Sequence, residues 1–257
     1  MQVCSINNSY RYRQPSFQSW KRETFNATVG VANRNDTCFF RDSTFIANLT
    51  KMLSENFKDV SKVNIYSFGC SDGSEPLSLV MSMLSNKKEL NPQKFFPIIA
   101  RDIDPVAINK AINNEHRITV AEKDKIDYFT NGQFEKFIEE PCGESIINEE
   151  GTKVFVKKEV IDKVDFAVGD IFEDYKKINP KNSVVMARNF WPYITSYKKR
   201  MQFFRDLYNH LSIGSYFIIG DFDQMGLAYN LQGDLKSDLV RLIGFKPTKL
   251  KYVYVKE

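Results

Sequence analysis

A chain of 257 residues, 42% of them hydrophobic, can build one large α/β domain with a small appendage, which argues against wholesale disorder. No stretch approaches the roughly 18 consecutive apolar residues of a membrane span, and the opening MQVCSINNSYRYRQ lacks the apolar run of a secretory signal, so a soluble cytoplasmic protein is expected. The net charge of +4 sits at one end: residues 1–34 hold five basic residues against the single acid Glu23, leaving 31 of each sign in the remainder.

Residues 1–56 read as a basic N-terminal arm followed by helices. The arm interleaves its charges with Tyr10, Tyr12, Phe17 and Trp20. It either docks an acidic partner or packs its aromatics on the core. Pro15 at a first turn, with Phe17, Trp20 and Thr24 on one face, predicts a short helix. A second helix is predicted from about 43 to 56, with Phe45, Leu49, Met52 and Leu53 as its apolar face.

From residue 57 to 257 the pattern becomes that of one α/β domain. VNIYSF is a strand, GCSDGSEP a turn of small residues, and PLSLVMSML a strongly apolar helix. KFFPIIARDID reads as the next strand and its end, followed by a helix from Pro105 to about Asn114. Further strands are expected at VDFAV, SVVMAR and SYFIIGDF, with a long helix from Tyr197 to Leu211. Alternating strands and helices predict a parallel, doubly wound sheet. The closing KLKYVYVK follows GFKPT too closely for a parallel crossover, so the last strand is expected antiparallel. The fold class is therefore α/β, Rossmann-like. The polar stretch 128–162, broken by glycines and Pro141 and ending in GTKVFVKKEV, is read as a small β insertion.

Ligands of open α/β sheets bind outside the carboxyl ends of the strands. The loop after the first strand runs from Gly69 to Pro76, and its glycines let the backbone approach a ligand. Glu75 at the helix start would repel a pyrophosphate but suits the ammonium or sulfonium of S-adenosyl-L-methionine; its alternative is service to the helix dipole. Asp102, at the end of the second strand, is placed to meet ribose hydroxyls. The glycines are spaced G-x-x-x-G and Asp102 lies far beyond them, which disfavours NAD. Asp104 reads as the N-cap of the helix at Pro105. Asp170, after the third strand, can accept from an adenine amino group beside apolar Ile171 and Phe172. Arg188 to Tyr193 follow the fourth strand and suit a substrate-facing loop. Four scattered cysteines and two unrelated histidines offer neither a zinc site nor a disulfide framework, so no metal is expected.

Four blocks, in order, resemble the CheR-type chemoreceptor (protein-glutamate) methyltransferases. Asn35-Asp36-Thr37-Cys38-Phe39-Phe40-Arg41 is similar to the N-x-T-x-F-F-R block, the most specific of the four. Ser67 to Pro76 resembles the first-strand loop C-S-T-G-E-E-P, Ala100 to Asp104 the block A-x-D-I-D, and Arg188-Asn189 with Tyr193 the block C-R-N-x-x-x-Y. The 128–162 insertion is similar to the small β subdomain with which that family engages receptors. The resemblance implies that Asn35, Thr37, Gly69, Glu75, Asp102, Ile103, Asp170, Ile171 and Asn189 bind the cofactor. It implies that Arg41, Arg188 and Tyr193 lie near the transferring methyl as catalytic candidates. Ser74 stands where the family has Glu, Asp170 where it has Asn, and Gly220-Asp221-Phe222-Asp223 where it has G-H-S-E. The helical receptor-docking region is much shortened. The implied partner is an acidic protein substrate such as a chemoreceptor, with nucleic acid disfavoured and no membrane insertion. Two rivals stand beside this reading. One is a nucleic-acid amino-methyltransferase, from the loose N-P-P-Y likeness at 189–193. The other is a cofactor-binding sensor domain without catalysis.

Overall fold

The computed structural model describes residues 37–86, 91–140, 147–191, 194, 196–221, 223 and 243–257. The basic arm, the helix expected after Pro15, Asn35 and Tyr193 lie outside the described residues. Helix α1 (Ser43–Asn56) has the bounds its periodicity predicts but buries Ile46, Leu49, Thr50 and Leu53. Phe45 and Met52 of the expected face are only half-buried. The turn of the face has a polar cause: the Thr50 hydroxyl meets that of Ser82, 2.9 Å away, on α2 (Ser74–Ser85).

Strand β1 (Asn64–Phe68) precedes α2, and β2 (Ile98–Asp102) follows it. β2 starts later than KFFPIIARDID suggests, because residues Pro92–Phe95 wind into a 3-10 turn and Pro97 has no N–H for a ladder. Asp104 caps α3 (Pro105–Ile112), accepting from Val106 N at 2.8 Å.

Next comes a separate three-stranded sheet, built from β3 (His116–Ile118), β4 (Ile138–Glu139) and β5 (Thr152–Val156), with β5 central and both pairings antiparallel. Its first strand lies upstream of the 128–162 stretch. Three residues, His-Arg-Ile, are too few to show alternation in sequence. Between β3 and β4 run α4 (Val120–Phe129) and α5 (Phe134–Phe137). α4 starts with a capping box: Thr119 Oγ1 accepts from Glu122 N, and Glu122 Oε2 accepts from Thr119 N. Glu122 Oε1 also accepts from Phe39 N at 3.1 Å, tying the N-terminal block to α4. Asn114 pairs both its amide atoms with Val156, fixing the end of β5 against the turn after α3.

After α6 (Lys158–Ile161), β6 (Val164–Val168) returns the chain to the main sheet. α7 (Ile171–Asp174), β7 (Ser183–Ala187), α8 (Tyr197–His210) and β8 (Tyr216–Ile218) follow. β9 (Lys246–Pro247) and β10 (Val253–Val255) close it. The order is β6-β2-β1-β7-β8-β10-β9. Every pairing from β6 to β8 is parallel, and β10 lies antiparallel between β8 and β9. β7 is buried at all five positions, as a central parallel strand covered on both faces must be. Its residues alternate between two cores. Val184 and Met186 face the cluster holding α1 and α2, while Val185 and Ala187 face the cluster of Phe203, Phe204 and Leu207 on α8. This is the Rossmann-like sheet with an antiparallel last strand that the sequence predicts. Among the described residues no helix is long and apolar enough to cross a membrane.

Candidate active site

The carboxyl ends of β1, β2, β6 and β7 deliver their loops to one side of the sheet, as parallel strands must. After β1 the chain turns sharply. Gly69, Ser71 and Gly73 all have positive φ (68°, 52° and 88°). A Cβ on Gly69 would lie 2.6 Å from the Phe190 ring, and one on Gly73 would lie 2.7 Å from the Phe166 ring, so both positions demand glycine twice over. Asp72 accepts from Ser74 N (3.0 Å) and Ser74 Oγ (2.7 Å). The serine that replaces the family's glutamate is thus part of the turn itself.

Asp102 is 8% exposed and binds across two loops. Its Oδ2 accepts from Ser71 N at 2.7 Å and its Oδ1 from Asp104 N at 2.9 Å. Burial pushes its pKa above the usual carboxylate value, and the backbone donors pull the other way. Each oxygen keeps a further lone pair, so the geometry still fits a pair of ribose hydroxyls. Ile103 beside it is 42% exposed, an apolar surface left uncovered next to that carboxylate. Asp170 Oδ1 caps α7 through Phe172 N at 2.9 Å, and Ile171 is buried behind it.

Arg188, at the end of β7, is the electrostatic centre. Its Nη1 meets Glu75 Oε2 at 2.5 Å, its Nη2 meets Asp42 Oδ2, and its guanidinium stacks 4.3 Å from the Phe45 ring. Burial alone would lower its pKa, but Glu75 and Asp42 together hold it above the usual value. Glu75 is therefore engaged by a charge as well as placed in the first turn of α2, and the ion-paired group joins α1, α2 and β7. Asp42 makes no cap bond to α1 because its carboxylate is turned to Arg188.

The N-terminal block folds onto this centre. Phe39 and Phe40 are fully buried, and Phe40 N donates to Ser78 Oγ on α2 at 2.9 Å. Arg41 follows them and is exposed, and Thr37 is half-buried. Asn189 adopts φ 65° and donates its N–H to Asp223 Oδ2 at 2.6 Å. Cys70 stays a protonated thiol, since burial and then Asp102 and Glu75 push its pKa well up. Among the described residues no group of three His, Cys, Asp or Glu could hold a metal ion.

The strand ends thus bring together Gly69, Glu75, Asp102, Ile103, Arg188 and Asn189, with Asp170 at the end of β6. Sequence reasoning missed two residues of the site. Asp42 directly follows Arg41, but its partner is Arg188, 146 residues further along the chain. Asp223 lies in the block that departs from the family pattern.

A family model, the SAM-binding domain of the CheR methyltransferases, matches residues 35–237. Chemotaxis protein methyltransferase 2 of Vibrio cholerae serotype O1 is 33% identical over 95 residues, a match spanning 35% of this chain and 32% of that protein. The chain thus matches about a third of that relative's length. Solved structures with a similar course include a TehB-like SAM-dependent methyltransferase from Corynebacterium glutamicum, at 12% identity and TM-score 0.39, covering 83% of this chain and 88% of that one. Magnesium protoporphyrin IX methyltransferase from Synechocystis PCC 6803 with bound SAM has 11% identity and TM-score 0.39, covering 84% and 80%.

Proposed function

The chain belongs to the CheR methyltransferase family and carries its SAM-binding domain, and from that premise we propose that it is an S-adenosylmethionine-dependent methyltransferase acting on glutamate carboxylates of an acidic protein such as a chemoreceptor. The observation that carries this reading is the convergence at the strand ends. A buried Asp102 with spare lone pairs, a glycine turn the backbone can present to a ligand, and Glu75 held by Arg188 all belong to adjacent loops.

Asp102 would hold the ribose, Ile103 and Ile171 would flank the adenine with Asp170 beside them, and Glu75 would face the methionine ammonium. Asn35, Thr37 and Asn189 complete the proposed cofactor set. When bound, S-adenosylmethionine supplies an electrophilic methyl on its sulfonium. A glutamate acceptor, with a pKa of about 4.3, is already ionised at neutral pH and requires no general base. The protein's task is then alignment and exclusion of water, a contribution of roughly 7–11 kcal/mol in favourable cases. Arg41 would orient the acceptor carboxylate through paired hydrogen bonds. Tyr193 would help close the site. Arg188 would hold Glu75 and the N-terminal block in place.

The test is transfer of a radiolabelled methyl to acidic peptides and to a bacterial chemoreceptor fragment. Base-labile label on the acceptor is expected, with Arg41→Ala slowing transfer by about a hundredfold, the scale for loss of one positioning or charge-stabilising group. Cofactor affinity should change far less. Transfer by Arg41→Ala at the wild-type rate would contradict the proposed acceptor site. Cofactor binding with no transfer to any acceptor would favour the sensor reading.

A further inference from the structure

Asp223 has no exposed surface, yet its partners are backbone donors from the ends of two neighbouring strands. Oδ2 accepts from Asn189 N at 2.6 Å and from Gly220 N at 2.7 Å, and Oδ1 accepts from Trp191 N at 3.0 Å. Two of these donors lie just after β7 and the third just after β8, so one carboxylate clasps both loops. At Asn189, the first of its two β7-side donors, the chain makes a left-handed turn, φ 65°, a conformation that asparagine tolerates better than most side chains and that the clasp holds in place. A Cβ on Gly220 would collide with the Asn189 side chain, so the two loops touch there as well. Trp191 anchors the far side of the turn: its indole N–H donates to Ala187 O at 2.7 Å, and its ring packs among Phe203 and Phe204.

The residues on either side of Asn189 both reach the loop after β1. Arg188 grips Glu75, and Phe190 lies over Gly69, where a Cβ would be 2.6 Å from its ring. We propose that Asp223 is a positioning residue for the cofactor loop: by fixing the turn at Asn189 it sets where Arg188 and Phe190 meet the two ends of residues 69–75. This rests on the reading of those residues as the cofactor loop. The acid of the altered G-D-F-D block thereby has a defined task, although it sits 34 residues beyond the turn it shapes.

Two measurements on the full chain test this: amide hydrogen exchange, and calorimetric titration with S-adenosylhomocysteine. In the wild type the amides of Asn189, Trp191 and Gly220 should exchange at least about a hundredfold more slowly than open loop amides. In Asp223→Asn those three should speed up while the strand amides do not, and S-adenosylhomocysteine affinity should fall at least about tenfold. A residue of merely structural weight would loosen the core amides together. Phe190→Ala leaves the clasp intact and should also weaken binding, and the two losses should not add in the double variant, since both act through one turn. Fast exchange of the three amides in the wild type overturns the proposal. So does unchanged affinity in a folded Asp223→Asn, or in Phe190→Ala should the first variant fail to fold. A wild-type chain that binds no S-adenosylhomocysteine overturns the cofactor reading and this role with it. Normal wild-type binding with unaffected variants overturns only the role of Asp223.

Discussion

Asp223 illustrates what a buried carboxylate costs. Burial pushes its pKa up to about 7, against the pull of three backbone donors and the nearby Arg188 charge. A carboxylate raised in the folded state favours the protonated fold, so this residue's share of stability is present below the unfolded value of 3.8 and is lost as pH rises towards about 7. Urea midpoints of the wild type should therefore decline relative to Asp223→Asn between about pH 4 and pH 7 and level off above it. Parallel pH curves for the two proteins would show that the residue does not titrate in this range. The site's residues divide by how local their signals are. Asp102, Glu75 and Gly69 were legible because each ends or follows a recognisable strand. Asp42 and Asp223 were not, because their partners lie 146 and 34 residues away and nothing in a linear pattern marks such a pairing. The pairing of Glu75 with Arg188 was hidden for the same reason.

Elements were legible where their period is long and their ends are marked. α1 and β7 stand out by spacing and by a continuous apolar run. β3 and β4, of three and two residues, are shorter than any periodicity can reveal. They exist because β5 gives them a partner. The face of α1 shifts because Thr50 has a hydroxyl partner on α2, a tertiary preference that overrides the apolar stripe. The junction between the N-terminal block and the small sheet rests on Glu122, which closes the α4 capping box and accepts from Phe39 N. Glu122→Ala should cost about 1–3 kcal/mol in urea unfolding, through loss of a cap and of one long-range bond. Glu122→Gln keeps one oxygen acceptor and turns the other into an NH2 donor, so it can serve the capping box or Phe39 N but not both, and should cost less than Glu122→Ala. Equal losses in the two variants would mean that the one acceptor Gln retains contributes nothing to this junction.

At the scale of the whole molecule, the sheet order places Gly69, Glu75, Asp102, Ile103, Asp170, Ile171 and Asn189 at the carboxyl ends of one parallel array, while Thr37 comes from the N-terminal block. The parallel sheet and its antiparallel last strand were anticipated from strand–helix alternation and the short final connection, whereas the strand order comes from the structure. The closing hairpin of β9 and β10 fits the same reasoning, since an antiparallel partner needs only a brief turn. The excess positive charge of the chain lies in residues 1–34, outside the described residues.

The central claim is that these strand ends form an S-adenosylmethionine site whose ribose anchor is Asp102. Calorimetric titration of the full chain with S-adenosylhomocysteine tests it most directly, with Asp102→Ala alongside and NAD as competitor. The account predicts one saturable site, a loss of more than about tenfold in Asp102→Ala from removing charge-assisted bonds of roughly 1.5–3 kcal/mol each, and no competition from NAD. Equal affinity in the wild type and a folded Asp102→Ala, or displacement by NAD, would contradict it.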